Sequence, residues 1–241
     1  MATIWHNGIV TNIIDETPTT KRFVLKVQDN EIFQFRAGQF VTMDLPIHER
    51  RLKRWRSYSI ANAPNQNNEL EFCIVKLDGG LGTTYLFNDV TVGSTITFKG
   101  ADGVFCLPNV LPNELVFICT GTGIAPFRSM IMDLVQQQKM IQPIHLIFGT
   151  RHETGILYTQ EWKALEAEFP NFRFSVALSR EAVEGHQHGY VHDIYRRFYG
   201  NKKGNVTFYL CGWSAMIDEA VAVLQEELGY EKAQIHYELY G

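Results

Sequence analysis

The pattern of apolar and polar residues divides the chain into two parts. Up to about residue 100, short segments rich in β-branched and aromatic residues are separated by turn-forming residues such as those at 65–68. Four of these segments cover residues 23–27, 39–43, 71–75 and 94–98. Short strands separated by turns are typical of an antiparallel barrel or sandwich. We therefore predict an antiparallel β-domain in the first part of the chain.

From about residue 113, apolar runs alternate with helical stretches. The runs cover residues 115–119, 144–148, 172–178, 206–210 and 235–239. One helix between them has an apolar stripe formed by Phe127, Met130, Ile131, Leu134 and Val135. The last helix is predicted over residues 215–228, before Gly229. This alternation predicts βαβ units and a parallel sheet of five strands, with the domain boundary in the proline-containing stretch 107–113.

The composition agrees with folded domains and excludes several classes of protein. Of the 241 residues, 45% are hydrophobic, which is ample for a packed core and excludes a disordered chain. The four cysteines are widely separated and the eight histidines show no metal-ligand spacing, so we expect no metal site. No apolar run is long enough to cross a bilayer, and the first residues do not form a signal peptide. We expect a cytoplasmic protein that does not insert into membranes.

The charge is unevenly distributed along the chain. A formal net charge of -4 argues against non-specific nucleic-acid binding. Five cations nevertheless occur close together, namely Arg50, Arg51, Lys53, Arg54 and Arg56. A local basic patch on an acidic protein predicts an anionic ligand or partner.

A glycine turn follows the first apolar run of the second part and opens a helix. It consists of Thr120, Gly121, Thr122 and Gly123. Glycines let the backbone approach a pyrophosphate, and the amides of a helix start favour its negative charge. Such a turn also occurs merely for tight strand-to-helix packing, and the motif alone leaves both interpretations open. Cys211 and Gly212 end the fourth parallel strand, so we expect Thr120 and Cys211 to face one crevice where the strand order reverses.

Two segments of the first part are candidates for a second anion site. The basic run ends in Arg56, Ser57, Tyr58 and Ser59, which supply a guanidinium fork, an aromatic face and short hydroxyls. Downstream, a glycine turn leads into a short helix through Gly80, Leu81, Gly82, Thr83 and Thr84. An exposed charged loop and an ordinary hairpin turn are the alternatives for these two segments.

Taken together, the four segments resemble the ferredoxin-NADP reductase superfamily. The resemblance covers nearly the whole chain, with the motifs in the family's order and spacing. It implies an N-terminal antiparallel Greek-key β-barrel that binds FAD, residues 1–109. It also implies a C-terminal, five-stranded parallel α/β domain that binds NAD(P), residues 110–241.

The resemblance implies roles in FAD binding for the residues of the barrel. Arg56 would bind the FAD pyrophosphate, Tyr58 would lie against the flavin, and Ser59 would lie near flavin N5. Thr83 and the backbone of its glycine segment would hold the phosphates. The main chain of three residues upstream would contact the flavin, namely Ile74, Val75 and Lys76.

The resemblance implies further roles in the second domain. The turn that begins at Gly121 would bind the NAD(P) pyrophosphate, while Thr120 and Cys211 would position the nicotinamide. Trp213 stands where the family usually has proline. Near the C-terminus, Tyr240 would cover the flavin face and Glu238 would handle a proton, although Tyr240 could also simply complete the packing of the last strand.

The choice of coenzyme depends on the segment after the third parallel strand. Ser179 and Arg180 resemble the family's NADP-type pair, and Arg151 is expected nearby. A guanidinium and a hydroxyl suit a 2′-phosphate, whereas NAD sites more often present an acid to the ribose. We therefore expect NADP(H) rather than NAD(H), with Tyr190 adding a face to the adenine.

The function implied is transfer of a hydride from NAD(P)H to FAD, followed by electron transfer to a separate acceptor such as ferredoxin or flavodoxin. The basic run at residues 50–54 would steer an acidic acceptor. Three alternatives remain open: a free-flavin reductase, a reductase component of an oxygenase, and a module that senses nucleotides without turnover.

Overall fold

The chain folds into two compact units, each built around its own sheet. A computed structural model describes residues 4–201 and 204–240. The first unit comprises Met1–Leu107 together with Ala125–Gln136, and the second comprises Pro108–Ile124 and Gln137–Gly241. One helix beyond residue 124 is therefore grouped by its contacts with the N-terminal part of the chain.

The first unit is a six-stranded antiparallel sheet. Its strands are β1 (His6–Thr17), β2 (Thr20–Val27), β3 (Phe40–Asp44), β4 (Trp55–Ser59), β5 (Glu69–Val75) and β6 (Thr95–Asp102). Their order is β4-β3-β6-β1-β2-β5, so β6 is inserted between β3 and β1. Just beyond β4, the Ala61 amide donates to the Glu71 carbonyl in β5 at 2.8 Å, which brings the two outer strands together. The predicted antiparallel barrel is confirmed.

Alternating side chains of these strands form the core of the first unit. Val10, Phe23, Leu25, Phe72 and Phe98 are among its buried members. A short helix, α1 (Leu81–Asn88), follows β5, and a single 3-10 turn, Arg51–Lys53, precedes β4. Of the two segments predicted to bind an anion, one therefore lies in β4 and the other leads into α1.

The second unit contains a parallel sheet flanked by helices. Its strands are β7 (Glu114–Thr120), β8 (Ile144–Thr150), β9 (Phe172–Leu178), β10 (Gln187–His188), β11 (Val206–Trp213) and β12 (Ile235–Tyr240). The order is β10-β9-β8-β7-β11-β12. Its helices are α3 (Thr159–Glu168), α4 (Val191–Tyr199) and α5 (Ser214–Ala222). Helix α2 (Ile124–Gln136), which precedes them in the chain, is grouped from Ala125 onward with the first unit. The strand order reverses between β7 and β11, which is the position where open α/β sheets bind ligands.

The parallel sheet has six strands rather than the five predicted. The additional strand, β10, has only two residues, Gln187 and His188, which pair with Ala177 and Leu178 of β9. The prediction was wrong on this point because the segment is too short and too polar to appear as an apolar run. The tertiary contact with β9 alone makes it a strand.

The helices follow the predicted periodicity with two differences. In α2, Val135 is only partly buried, whereas the other four members of the stripe are buried. The last predicted helix is divided into α5 and a π-helical turn, Val223–Glu227, and the chain then turns at Gly229 with φ +73°. In the described ranges, no helix is long and apolar enough to cross a membrane.

We predict that the stability of the second unit depends on Trp162. Trp162 on α3 is fully buried, and its Nε1 donates to the Leu157 carbonyl at 3.0 Å. Trp162→Ala should lower the free energy of unfolding by about 3–5 kcal/mol because it leaves a large cavity. Trp213→Ala is the matched control, since the Trp213 side chain is 66% exposed and its loss should cost about 0.5 kcal/mol or less. Urea unfolding followed by circular dichroism measures both, and equal losses would contradict the assignment.

Candidate functional site

Strand β4 carries the basic-aromatic segment of the first unit. Ser59 at its end is buried, whereas Ser57 is exposed and its Oγ lies 3.1 Å from Thr42 Oγ1. Tyr58 is partly buried and packs against the barrel core. Burial raises the pKa of Tyr58 to about 12, although the nearby Arg56 acts in the opposite direction. The phenol therefore stays protonated at neutral pH and keeps a hydrogen to donate.

The structure brings Arg56 against the first turn of α1. A Cβ placed on Gly82 would lie 2.9 Å from Cγ of Arg56 and 3.3 Å from its Nε. The absence of a side chain at Gly82 thus makes room for the arginine. Arg56 Nη1 donates to the carbonyls of Lys53 at 3.2 Å and of Trp55 at 2.7 Å. A guanidinium and a helix start, the two groups that best bind a phosphate, therefore lie side by side.

The turn before α1 is held by its own threonine. The Leu77 amide donates to Thr83 Oγ1 at 3.1 Å, and the Thr83 hydroxyl donates to the Gly80 carbonyl at 3.2 Å. A Cβ on Gly80 would lie 2.8 Å from that same hydroxyl oxygen. The predicted phosphate-binding hydroxyl is thus engaged in shaping the loop. The first amides of α1 have no acceptor within the helix, and this loop leads directly into them.

The remaining predicted residues of the barrel differ in their exposure. Ile74 is buried, whereas Val75, Lys76, Leu81 and Thr84 are exposed. The amide of Lys76 donates to the Thr19 carbonyl at 2.8 Å, and that of Thr84 to the Gly80 carbonyl at 2.9 Å. These two amides therefore already have acceptors within the protein.

In the second unit, the ends of β7 and β11 approach each other closely. A Cβ on Gly123 would lie 2.4 Å from the Cys211 carbonyl oxygen, and one on Gly212 would lie 2.5 Å from Thr120 Oγ1. The Trp213 amide donates to Thr120 Oγ1 at 3.4 Å. These are backbone and short side-chain contacts that cannot yield, so Gly123 and Gly212 are required by packing. The structure thus brings Thr120 and Cys211 together at the ends of β7 and β11.

Gly121 has a different environment from Gly123. Its φ is +53°, and a Cβ placed on it would have no heavy atom within 4 Å. Gly121 and the half-buried Thr122 form a 3-10 turn that opens α2. Gly123 therefore packs against β11, whereas the space in which a side chain at Gly121 would lie is open.

Cys211 lies at the centre of a cluster formed by β7, β11 and β12. It pairs in register with Cys119 on one side and Glu238 on the other, and both thiols are fully buried. Burial raises the pKa of Cys211 well above its ordinary value and Glu238 adds to this, whereas a hydrogen bond with the Tyr240 side chain acts in the opposite direction. Three of the four predicted catalytic residues thus lie together, with the thiol protonated. The fourth, Ser59, belongs to the first unit.

The predicted coenzyme-discriminating residues come together at the ends of β8 and β9. The Ser179 amide donates to the Thr150 carbonyl, and the Arg180 amide donates to the Arg151 carbonyl, both at 3.0 Å. Both arginines are exposed. Tyr190, at the start of α4, is 67% exposed and presents a free aromatic surface.

Sequence reasoning missed an acid at this position. Glu181 accepts a hydrogen bond from the Glu153 amide, and its Oε2 lies 3.6 Å from His152 Nδ1. These partners lie in the loop after β8 and hold the Glu181 carboxylate against it. Its place directly after Ser179 and Arg180 was the available signal, but no local pattern indicates which backbone amide an exposed acid binds.

Comparisons with known proteins agree with the two-unit architecture. The model of an oxidoreductase FAD-binding domain matches residues 7–106, and that of an oxidoreductase NAD-binding domain matches residues 117–222. The fold is also similar to that of solved structures. These include an Amycolatopsis cytochrome P450 reductase, GcoB (TM-score 0.88, 24% identity, 98% of this chain and 69% of that one). A ferredoxin NADP+ reductase from Neisseria gonorrhoeae with bound FAD and NADP is another (TM-score 0.80, 23% identity, 99% of both chains).

Curated relatives are similar over most of this chain. The reductase component of phenol 2-monooxygenase from a Pseudomonas species is 29% identical over 94% of this chain and 63% of its own length. A Ralstonia ferredoxin-NAD(P)+ reductase component of naphthalene dioxygenase and salicylate hydroxylase systems is 32% identical over 95% and 67%. Ferredoxin-NADP reductase B of Sorangium cellulosum is 28% identical over 93% of both. This chain therefore spans about two thirds of the two oxygenase reductases and nearly all of the third relative.

The matched domains, in the same order along the chain, cover both the barrel and the parallel sheet. The Ralstonia relative reaches 32% identity over two thirds of its own length. The chain belongs to the ferredoxin-NADP reductase superfamily of FAD- and NAD(P)-binding oxidoreductases.

Proposed function

We propose that this protein is a flavoprotein reductase that uses NAD(P)H and FAD and delivers electrons to a separate acceptor, ferredoxin or flavodoxin. The FAD-binding domain would be residues 1–109, and the NAD(P)-binding domain residues 110–241. The observation that carries the proposal is that one chain contains two separate arrangements, each of which would suit an anion. One is Arg56 against α1, and the other is the turn at Gly121 beside Cys211.

The residues of the first unit fit an FAD pyrophosphate. The space that Gly82 leaves is filled by the stem of Arg56, so a fixed cation stands beside amides that need an acceptor. Thr83 keeps the preceding turn in shape. Tyr58 would present its neutral ring to the flavin, with Ser57, Ser59 and the backbone of residues 74–76 as hydrogen-bonding groups.

The residues of the second unit fit a dinucleotide in the same way. Gly121 and Thr122 would hold the pyrophosphate, and Thr120, Cys211 and Gly212 would position the nicotinamide. Because the Cys211 thiol stays protonated, it adds no negative charge beside the ring. Tyr240, which bonds to Cys211, would have to move aside for the ring, and Glu238 would hold a proton next to that thiol.

The bound groups would supply hydride transfer from a nicotinamide to a flavin and release of electrons to an acceptor. The chain's own part is to bind, to orient and to exclude water. Preorganised orientation of this kind contributes several kcal/mol to a rate, on the order of 7–11 in favourable cases. The buried Ser59 and Cys211 are suited to it because packing holds their side chains in place.

The basic run supports the proposed acceptor. Arg54 Nε lies 2.8 Å from Asp44 Oδ1, so this cation is already paired. Arg50, Arg51 and Lys53 are exposed, although Arg51 Nε also lies 3.9 Å from Asp44 Oδ2 and its guanidinium lies 4.9 Å from the Trp5 ring. Exposed cations attract an acidic partner and accelerate its association at low salt. The relatives that are named as oxygenase reductase components support delivery to a separate protein. We also propose a cytoplasmic location, in line with four cysteines that are widely separated in the sequence.

We propose NADP(H) as the preferred coenzyme. Arg180 and Arg151 are linked backbone to backbone, which places two exposed guanidinium groups on adjacent loops. Two guanidiniums and the Ser179 hydroxyl suit a dianionic phosphate. The negative charge of Glu181 would repel that phosphate, but its carboxylate accepts a hydrogen bond from the Glu153 amide and lies near His152.

We expect the purified protein to bind FAD and to lose its visible flavin absorption when NADPH is added without oxygen. A dye acceptor should then sustain turnover. Failure to bind flavin would contradict the proposal outright. Bound flavin that NADPH does not bleach would instead indicate a nucleotide-sensing module. Flavin lost on gel filtration but reduced as a free substrate would indicate a free-flavin reductase.

Arg56→Ala should weaken FAD binding by about 10- to 100-fold, because a charge-assisted hydrogen bond contributes about 1.5–3 kcal/mol. Arg50→Ala removes the same charge from an exposed position and should change FAD affinity by about twofold or less. Quenching of FAD fluorescence on titration into apoprotein measures both. Equal losses would show that general charge, rather than the Arg56 cradle, holds the cofactor.

Arg180→Ala should weaken NADPH binding by about tenfold or more and NADH binding by about twofold or less, because only NADPH carries the 2′-phosphate. Arg173→Ala, an exposed arginine near the start of β9, is the control and should affect neither coenzyme. Dissociation constants from anaerobic titration decide the matter. Parallel losses of the two coenzymes would refute the NADP(H) assignment.

A further inference from the structure

The outer edge of the parallel sheet, within the second unit, contains a cavity that the proposed function does not use. β10 pairs only with Ala177 and Leu178, so among the described strands none lies beside the earlier part of β9 on that side. A cavity of about 300 Å³ lies at this edge, lined by residues of β9, α3, α4 and the loops after β8 and β9. This volume is at the lower end of the range for ligand pockets, so the cavity suits a small molecule rather than a dinucleotide.

One part of the cavity lining is apolar. Ile156, Val176 and Ile194 line the cavity and are buried, and the half-buried Phe174 lies beside them. Apolar surface of this kind is stabilised when a ligand displaces water from it. The cavity therefore favours a ligand with an apolar body.

The two acids of the cavity lining already have partners. Glu166 Oε1 accepts a hydrogen bond from the Phe174 amide at 2.7 Å, and so replaces the carbonyl that a neighbouring strand would offer. Glu153 Oε1 lies 3.9 Å from His186 Nε2. Neither carboxylate is therefore fully available to a cation in the cavity.

Two cations of the lining differ from these acids. Lys163 on α3 and Arg197 on α4 line the cavity and are exposed. Among the residues that the structure describes, neither of them forms an ion pair, although the Arg197 guanidinium lies 5.0 Å from the Phe198 ring. Cations without a carboxylate partner beside a cavity attract an anionic ligand.

The cavity is separate from the proposed coenzyme site of the same unit. In the sheet, β8 lies between β9 and β7, whose end carries Thr120. Of the described residues that line the cavity, none is a predicted coenzyme-binding residue such as Ser179, Arg180, Tyr190 or Cys211. A ligand of this cavity would therefore be a further molecule and not part of the dinucleotide.

We propose that this cavity binds a small organic carboxylate with an apolar body. The apolar body lies against Val176 and Ile194, and the carboxylate lies between Lys163 and Arg197. Arginine suits a carboxylate because its fork can donate two parallel hydrogen bonds. A single negative charge is favoured over a dianion because Glu153 and Glu166 also line the cavity and would repel additional charge. The proposal goes beyond the function proposed above and does not depend on it.

The test is titration of the isotope-labelled whole chain with benzoate, followed by the amide resonances in nuclear magnetic resonance spectra. The resonances of residues 174–176 and 185–187 should shift and saturate, with a dissociation constant on the order of 1 mM, as befits so small a ligand. Benzyl alcohol has a similar body without the charge, and inorganic phosphate has charge without the body. Each of these should bind about tenfold more weakly than benzoate or worse.

Lys163→Gln and Arg197→Gln should each weaken benzoate binding by about three- to tenfold, because each removes a charge-assisted hydrogen bond. The double variant should bind benzoate no better than benzyl alcohol. Both side chains are exposed, so the variants should fold. Lys139→Gln is the matched control, since Lys139 is an exposed cation of the same unit that does not line the cavity. It should change the affinity by about twofold or less.

Arg180→Gln is a second control, because it removes a cation from the proposed coenzyme site. It should also leave benzoate binding within about twofold of the original protein. A loss in Arg180→Gln as large as in Arg197→Gln would mean that benzoate occupies the coenzyme site, and would overturn the proposal.

Three other outcomes would overturn it as well. The first is the absence of any saturable shift at residues 174–176 and 185–187. The second is equal affinity for benzoate and for benzyl alcohol or phosphate, which would indicate an apolar gap or surface charge alone. The third is an equal loss in Lys139→Gln. None of these measurements involves flavin or NADPH, so failure of the proposed function would leave this result unchanged.

Discussion

The second unit depends on how closely two backbones approach at the ends of β7 and β11. A Cβ on Gly123 would lie 2.4 Å from the Cys211 carbonyl oxygen, and one on Gly212 would lie 2.5 Å from Thr120 Oγ1. Because both positions are glycine, no side chain keeps the two strand ends apart. The strands can therefore end side by side at the point where the strand order of the sheet reverses. That reversal is what opens a crevice in a sheet of this kind. β12 then brings Tyr240 to the same place through its pairing with β11.

The first unit solves a related problem in a different way. At Gly82 the missing side chain admits the stem of Arg56 rather than another backbone, so a cation stands beside the first amides of α1. In a chain of net charge -4, this local placement of a guanidinium would attract an anion that the overall charge does not. Burial meanwhile keeps the Tyr58 phenol and the Cys211 thiol neutral, so neither adds negative charge to its site.

Helix α2 shows how one element serves more than one purpose. Its apolar stripe is buried, as the 3.6-residue period predicts, yet Arg128 and Ser129 beside that stripe are buried as well. These two polar side chains are tolerated in the interior because the carbonyls of Ala61 and Asn62 accept their hydrogen bonds. Helix α2 is in this way fixed to the loop after β4 within the first unit.

The sequence by itself determined the two kinds of sheet, the long helices and the glycine turns, because periodicity and turn formation depend on residues within one short segment. Only the tertiary structure decided the rest. The segment β10 is a strand because it pairs with β9. The Thr83 hydroxyl donates to the Gly80 carbonyl of the turn before α1, and Glu181 accepts from an amide that is distant in the sequence. Arg128 meets a carbonyl 67 residues away. Such partnerships depend on which surfaces packing brings together, and no local pattern of residues records that.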